Sequence, residues 1–140
     1  MTGFNDFGLD ARIMEAVTNL GFETPTSIQM SSIPILMEGK DVIGRARTGS
    51  GKTAAFGLPL VERVKDGGPK VRALILAPTR ELAIQVAEAM KDFAKKIPVN
   101  ILTIYGGSPY GPQLNALRKG VTIVVGTPGR VIDHMNRGTL

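Results

Sequence analysis

Lys52 and Thr53 follow two closely spaced glycines in the stretch Ala46-Arg47-Thr48-Gly49-Ser50-Gly51-Lys52-Thr53. Glycines lack a Cβ, so the backbone can curl there and aim several N–H groups at one point. An ammonium and a hydroxyl set directly after such a curl suit a polyphosphate and its metal. Lys52 would reach the β- and γ-phosphates, and the Thr53 hydroxyl would hold Mg²⁺. The stretch departs from the general pattern Gly-x-x-x-x-Gly-Lys-[Ser/Thr] at its first position, where Ala46 stands. A glycine-rich turn alone would fit an ordinary strand–turn–helix. Here Gly51-Lys52-Thr53 lies between the apolar pair Val42-Ile43 and the helical run Ala54-Ala55-Phe56, which favours phosphate binding at a helix N-terminus.

The elements that must carry this loop follow from periodicity. Ile13, Ala16, Val17 and Leu20 predict a helix over 10–20, with Asp10 as N-cap and Gly21 as terminator. A second helix is expected from Ser27 to Met37, broken or kinked at Pro34, and a third from Lys52 to Val64, bent at Gly57 and Pro59. Val42-Ile43, 71–77, 99–105 and 121–125 read as short strands. Helices over 81–94 and 114–118, and from Pro128 onward, alternate with them. Strands apolar on both faces that alternate with helices predict a parallel sheet covered by helices on both faces. Ligands in such sheets gather beyond the carboxyl ends of the strands.

Three of those ends carry small or polar residues: Pro78-Thr79-Arg80-Glu81, Gly106-Gly107-Ser108 and Thr127-Pro128-Gly129-Arg130. Each alone fits ordinary capping and turn chemistry. Together on one edge they would form a track of amides and guanidinium groups suited to a phosphate backbone. None of the strands ends in Asp or Glu, so the acid that orients Mg²⁺ and its water in this class of site is not among these residues.

Composition sets the bounds. At 140 residues, 43% of them hydrophobic, the chain has the size of one domain, and with no cysteine it carries neither disulfides nor thiolate metal sites. A net charge of +5 permits a polyanionic partner without demanding one. The N-terminus lacks a signal-peptide layout and no apolar run approaches ~18 residues, so a cytoplasmic location is expected. His134 is expected to face solvent on a polar side of the last helix, and Met14, Met30, Met37, Met90 and Met135 to fill core. Tyr105 and Tyr110 are expected to pack at core or rim.

The ordered motifs resemble the first part of the N-terminal RecA-like domain of DEAD-box RNA helicases, over nearly the whole chain. Gly21-Phe22-Glu23-Thr24-Pro25-Thr26-Ser27-Ile28-Gln29 is similar to the family's Q motif, and Phe4, seventeen positions before Gly21, occupies its isolated upstream aromatic position. Ala46 to Thr53 resembles motif I, which begins with alanine in this family. Residues 78–83 resemble motif Ia, Gly106-Gly107 the GG motif, and Thr127-Pro128-Gly129-Arg130 motif Ib. The resemblance implies a RecA-like fold, here with about four strands. It divides the chain into a Q-motif region at 1–40 and a phosphate- and RNA-contact region at 41–140.

It further implies ATP and Mg²⁺ as cofactors. ATP would be held by Phe4, Phe22, Thr24, Gln29, Ala46, Arg47, Thr48, Gly49, Ser50, Gly51, Lys52 and Thr53, with Gln29 reading adenine. RNA would be held by its backbone, without sequence specificity, at Pro78, Thr79, Arg80, Gly106, Gly107, Thr127, Pro128, Gly129 and Arg130. Glu81 would be a structural partner, and Phe7 a core residue. The family's Asp-Glu-Ala-Asp box and second domain are not present, so ATP-driven unwinding is expected of the longer protein and deficient hydrolysis of this chain alone. The alternatives are a nucleotide- and RNA-binding module without catalysis, or another P-loop ATPase or kinase. A sheet that stops after these strands leaves an edge that favours a dimer or low solubility.

Overall fold

A computed structural model describes residues 3–140. After a 3-10 turn at Phe4–Phe7 come α1 (Ala11–Asn19), α2 (Ser27–Met37), α3 (Lys52–Arg63), β1 (Ala73–Leu76) and α4 (Arg80–Phe93). They are followed by β2 (Ile101–Ile104), α5 (Tyr110–Lys119), β3 (Ile123–Gly126) and α6 (Pro128–Asn136). The chain divides into two compact units, the described residues up to Lys65 with Asp92–Ile97, and Asp66–Lys91 with Pro98–Leu140. No helix among the described residues is long and apolar enough to cross a membrane.

The first unit is helical. Asp10 caps α1 by accepting the Arg12 N–H at 2.8 Å, and Ile13, Ala16 and Val17 bury one stripe of that helix. Thr26 and Gln29 form a capping box at the start of α2. This helix runs on through Pro34, and α3 runs on through Gly57 and Pro59, so the break foreseen at Pro34 does not occur. The two helices pack on each other. Ile33, Leu58 and Val61 are fully buried, and that burial outweighs the local cost of the prolines.

The second unit holds a parallel three-stranded sheet in the order β1-β3-β2. Its central strand is apolar throughout, with Ile123, Val124 and Val125 wholly buried. Ile104, Val121, Val124 and Val131 form the core beneath it, with Leu102, Ala116, Leu117 and Leu140 against them. Gly126 admits no side chain. A Cβ there would lie 2.6 Å from Val131 Cγ2 and 2.8 Å from the Ile104 carbonyl oxygen.

Three expectations are corrected here. Val42-Ile43 does not form a strand, and Ile43 is 98% exposed, so the sheet has three strands rather than about four. Two apolar residues cannot hold an extended segment without a neighbouring strand to hydrogen-bond it, and no pairing includes them. Nor is β1 covered on both faces, because Leu74 and Leu76 are 44% and 55% exposed. Of the methionines assigned to core, Met90 is buried, whereas Met30 and Met135 are exposed.

Candidate functional site: a phosphate-binding loop and a strand-end edge

In the first unit, Gly49 and Gly51 take φ of 81° and 84°, the left-handed conformation that side chains disfavour. The Ser50 N–H donates to the Arg47 carbonyl at 3.2 Å, and the Ser50 hydroxyl donates to the same oxygen, which closes the curl. Gly51 is the N-cap of α3 and supplies no side-chain cap. The first-turn N–H groups of α3 therefore have no capping acceptor and carry the positive end of the helix dipole. Lys52 is exposed beside them and Thr53 is half-buried. This is a cradle for an anion of phosphate size.

Gln29 ties α2 to this loop. Its side chain is buried; Oε1 accepts the Thr26 N–H at 3.0 Å, and Nε2 donates to the Gly51 carbonyl at 3.1 Å. One N–H and one lone pair of the amide are left over. A Cβ on Gly51 would stand 2.3 Å from Gln29 Nε2. An open cleft of about 410 Å³ lies alongside, lined by Thr26, Ser27, Ile28, Ser31, Arg45, Ala46 and Ser50. Phe4 is buried, 5.8 Å from the Phe7 ring and 5.9 Å from that of Phe22. Phe22 is 36% exposed and Thr24 is exposed, so these are the two with surface to offer a ligand.

In the second unit, the three strand ends lie in register. Leu76 and Ile104 both align with Gly126. The Ala77 N–H donates to the Gly126 carbonyl, and the Thr127 N–H to that of Ile104, both at 2.9 Å. Pro78-Thr79-Arg80, Gly106-Gly107 and Thr127-Pro128-Gly129-Arg130 therefore stand on one edge. Gly106, Gly107, Pro128 and Gly129 are exposed there. The Arg80 guanidinium stacks on the Tyr105 ring at 4.8 Å, while Arg130 and Arg137 flank Tyr110 at 3.9 and 4.0 Å. Thr79 caps α4 by accepting the Leu82 N–H at 3.2 Å.

Behind this edge runs a buried polar network that sequence reasoning missed. Gln113, 5% exposed, donates from Nε2 to Ser108 Oγ at 2.8 Å and accepts at Oε1 from Arg130 Nη1 at 3.2 Å. The same Oε1 lies 2.8 Å from His134 Nε2. Tyr110 donates its hydroxyl proton to Asp133. His134 is fully buried, which corrects the solvent-exposed position foreseen for it. Its Nδ1 meets the Thr139 hydroxyl at 2.8 Å. Both ring nitrogens are satisfied, and burial, helped by Arg130 and Arg137, holds the imidazole pKa below its ordinary value.

A left-handed glycine loop opening a helix, and a parallel sheet whose loops converge on one edge, are the features of P-loop α/β proteins. The DEAD/DEAH box helicase family model matches residues 26–140, and the chain belongs to that family. It is 57% identical to the ATP-dependent RNA helicase DeaD of Klebsiella pneumoniae, covering 99% of this chain and 22% of that protein. It is 52% identical to the ATP-dependent RNA helicase CshA of Listeria monocytogenes, covering 100% of this chain and 27% of that one. The chain thus spans about a quarter of the length of these relatives. A crystal structure of a DEAD box protein from the hyperthermophile Methanococcus jannaschii superposes with a TM-score of 0.94 at 48% identity, over 100% of this chain and 38% of that one. The RecA-like fold expected from the motifs is the fold observed.

Proposed function

We propose that this chain is the ATP- and RNA-binding portion of an ATP-dependent RNA helicase that unwinds or remodels RNA. The observation that carries the reading is the Gln29 bond to the Gly51 carbonyl, which sets a planar donor–acceptor amide beside the phosphate-binding loop. The uncapped N-terminus of α3 and the cleft beside Ala46 and Ser50 fit a nucleotide in size and charge. In this reading the loop 46–51 and the first turn of α3 hold the phosphates, Lys52 neutralises them, and the leftover hydrogen-bonding positions of Gln29 read the adenine edge. Phe22, backed by Phe4, and Thr24 flank the base. Thr53 would hold Mg²⁺ through its hydroxyl. When bound, the metal offsets charge on the transferring phosphoryl group.

RNA is bound by its sugar-phosphate backbone along the strand-end edge, from Pro78, Thr79 and Arg80 through Gly106 and Gly107 to Thr127, Pro128 and Gly129, with Arg130 at the end of that edge. Binding is therefore insensitive to base sequence and weakens with salt. No strand of the sheet ends in a carboxylate, which favours binding without sustained hydrolysis by this chain on its own. The bare leucines of β1 support self-association.

The test is nucleotide selectivity. Fluorescent ATP and GTP analogues are titrated into the chain and into Gln29→Ala. The expected result is preference for ATP, lost in the variant. Equal affinity for both, unchanged by the substitution, would overturn the adenine reading.

A further inference from the structure

We propose that Gln113 and Arg130 form a clip that fixes the Gly106-Gly107 loop against the start of α6, and that Arg130 is a positioning residue rather than a phosphate contact. The inference rests on the RNA-binding reading of the strand-end edge. It changes what one arginine of that edge does.

One end of the Arg130 guanidinium is committed to oxygens of the protein itself. Its Nη1 donates to the Ser108 carbonyl at 3.0 Å and to Gln113 Oε1 at 3.2 Å. Its guanidinium plane lies over Tyr110 at 3.9 Å, and the side chain is half-buried. Donation to two oxygens on different segments, combined with stacking on a ring, is what a guanidinium does and an ammonium does not.

Gln113 completes the clip from the other side. Its Nε2 donates to Ser108 Oγ at 2.8 Å and lies 3.4 Å from the Tyr105 carbonyl. The Ser108 hydroxyl in turn donates to the Tyr105 carbonyl at 2.9 Å. Gln113 Oε1 also meets His134 Nε2, so one buried amide joins the GG loop, α5 and α6. A buried amide with these partners is costly to leave unpaired, so the three segments move together or not at all. The exposed amides of Gly106, Gly107 and Gly129 are thereby presented as one preformed surface, which lowers the ordering cost of gripping a flexible strand.

The experiment measures binding of fluorescein-labelled oligouridylate by anisotropy over a range of salt, with amide NMR spectra of each protein. Arg130→Lys, Arg130→Met and Gln113→Met are each expected to lower affinity about 5- to 10-fold. The slope of log affinity on log salt should stay within about 0.2 of the parent, because no phosphate contact is lost. Arg130→Met combined with Gln113→Met should lose no more than the worse single variant. Arg80→Ala, by contrast, should reduce the slope by about 0.7.

In the spectra of Gln113→Met, the Gly106, Gly107 and Gly129 signals should move while dispersion elsewhere is kept. A slope reduced by about 0.7 in Arg130→Met, with affinity retained in Arg130→Lys, would make Arg130 a phosphate contact and overturn the proposal. Unmoved glycine signals in Gln113→Met would overturn it as well. If the parent chain fails to bind RNA at low salt, the RNA reading fails, and the glycine signals alone decide the clip.

Discussion

His134 shows how a single buried group sets a pH dependence. Burial is the largest influence on its imidazole, the positive charges of Arg130 and Arg137 act in the same direction, and Asp133 opposes them without prevailing. Gln113 Oε1 can only accept, so Nε2 carries a proton, while the Thr139 hydroxyl lies 2.8 Å from Nδ1 and 3.0 Å from the His134 carbonyl oxygen, with one proton to give. The folded pKa lies below the ordinary 6.5, so the unfolded chain takes up the proton first as pH falls. This contribution to stability is whole above the unfolded value and is lost as pH drops through the folded one. Thermal melting should therefore shift downward as pH falls from the unfolded value of 6.5 through the lower folded one, and His134→Gln should flatten the response. Asp10 does not confuse the window. The Arg12 side-chain and backbone hydrogen bonds hold its carboxyl far below the ordinary carboxylate range, and its contribution fails only in stronger acid. This burial is not legible in the sequence, because histidine is of intermediate type and its partners Gln113 and Thr139 lie 21 and 5 positions away.

At the scale of the element, the helices were legible where local chemistry decides and obscure where packing does. Asp10 announced the start of α1 correctly, since its carboxylate is the cap. Asp10→Ala should destabilise the protein, read as a lowered urea midpoint at unchanged slope. Helix α5 was foreseen only from Leu114, because Gly111-Pro112 reads as a turn, yet it begins at Tyr110. Proline in a first turn surrenders an N–H that has no helical partner there, so the helix accepts it. The extra turn is what brings Gln113 into place. The phosphate loop was legible to the residue, because the left-handed φ of Gly49 and Gly51 is a demand only glycine meets cheaply. Gly51→Ala should destabilise by about 1–2 kcal/mol from backbone strain alone. It should also abolish nucleotide binding, as scored by melting with and without ATP.

Across the whole molecule, the parallel α/β class followed from alternation, but the strand order β1-β3-β2 and the unpaired state of Val42-Ile43 did not. Pairing depends on neighbours remote in sequence, and an apolar pair says nothing about whether a partner strand stands beside it. The same gap leaves Leu74 and Leu76 in water on an edge strand, a setting that invites association. Light scattering should show mass rising with concentration, and Leu74→Lys with Leu76→Lys should return a monomer. A parent chain that stays monomeric throughout would count against that surface. Gly126 carries a different consequence, one of heredity. Its missing Cβ is demanded by Val131 and by the Ile104 backbone. In a saturation library this position should admit only glycine even when selection asks merely for folded protein, whereas exposed Gly106 and Gly129, which have open space and no left-handed φ, should become restricted only when selection asks for function.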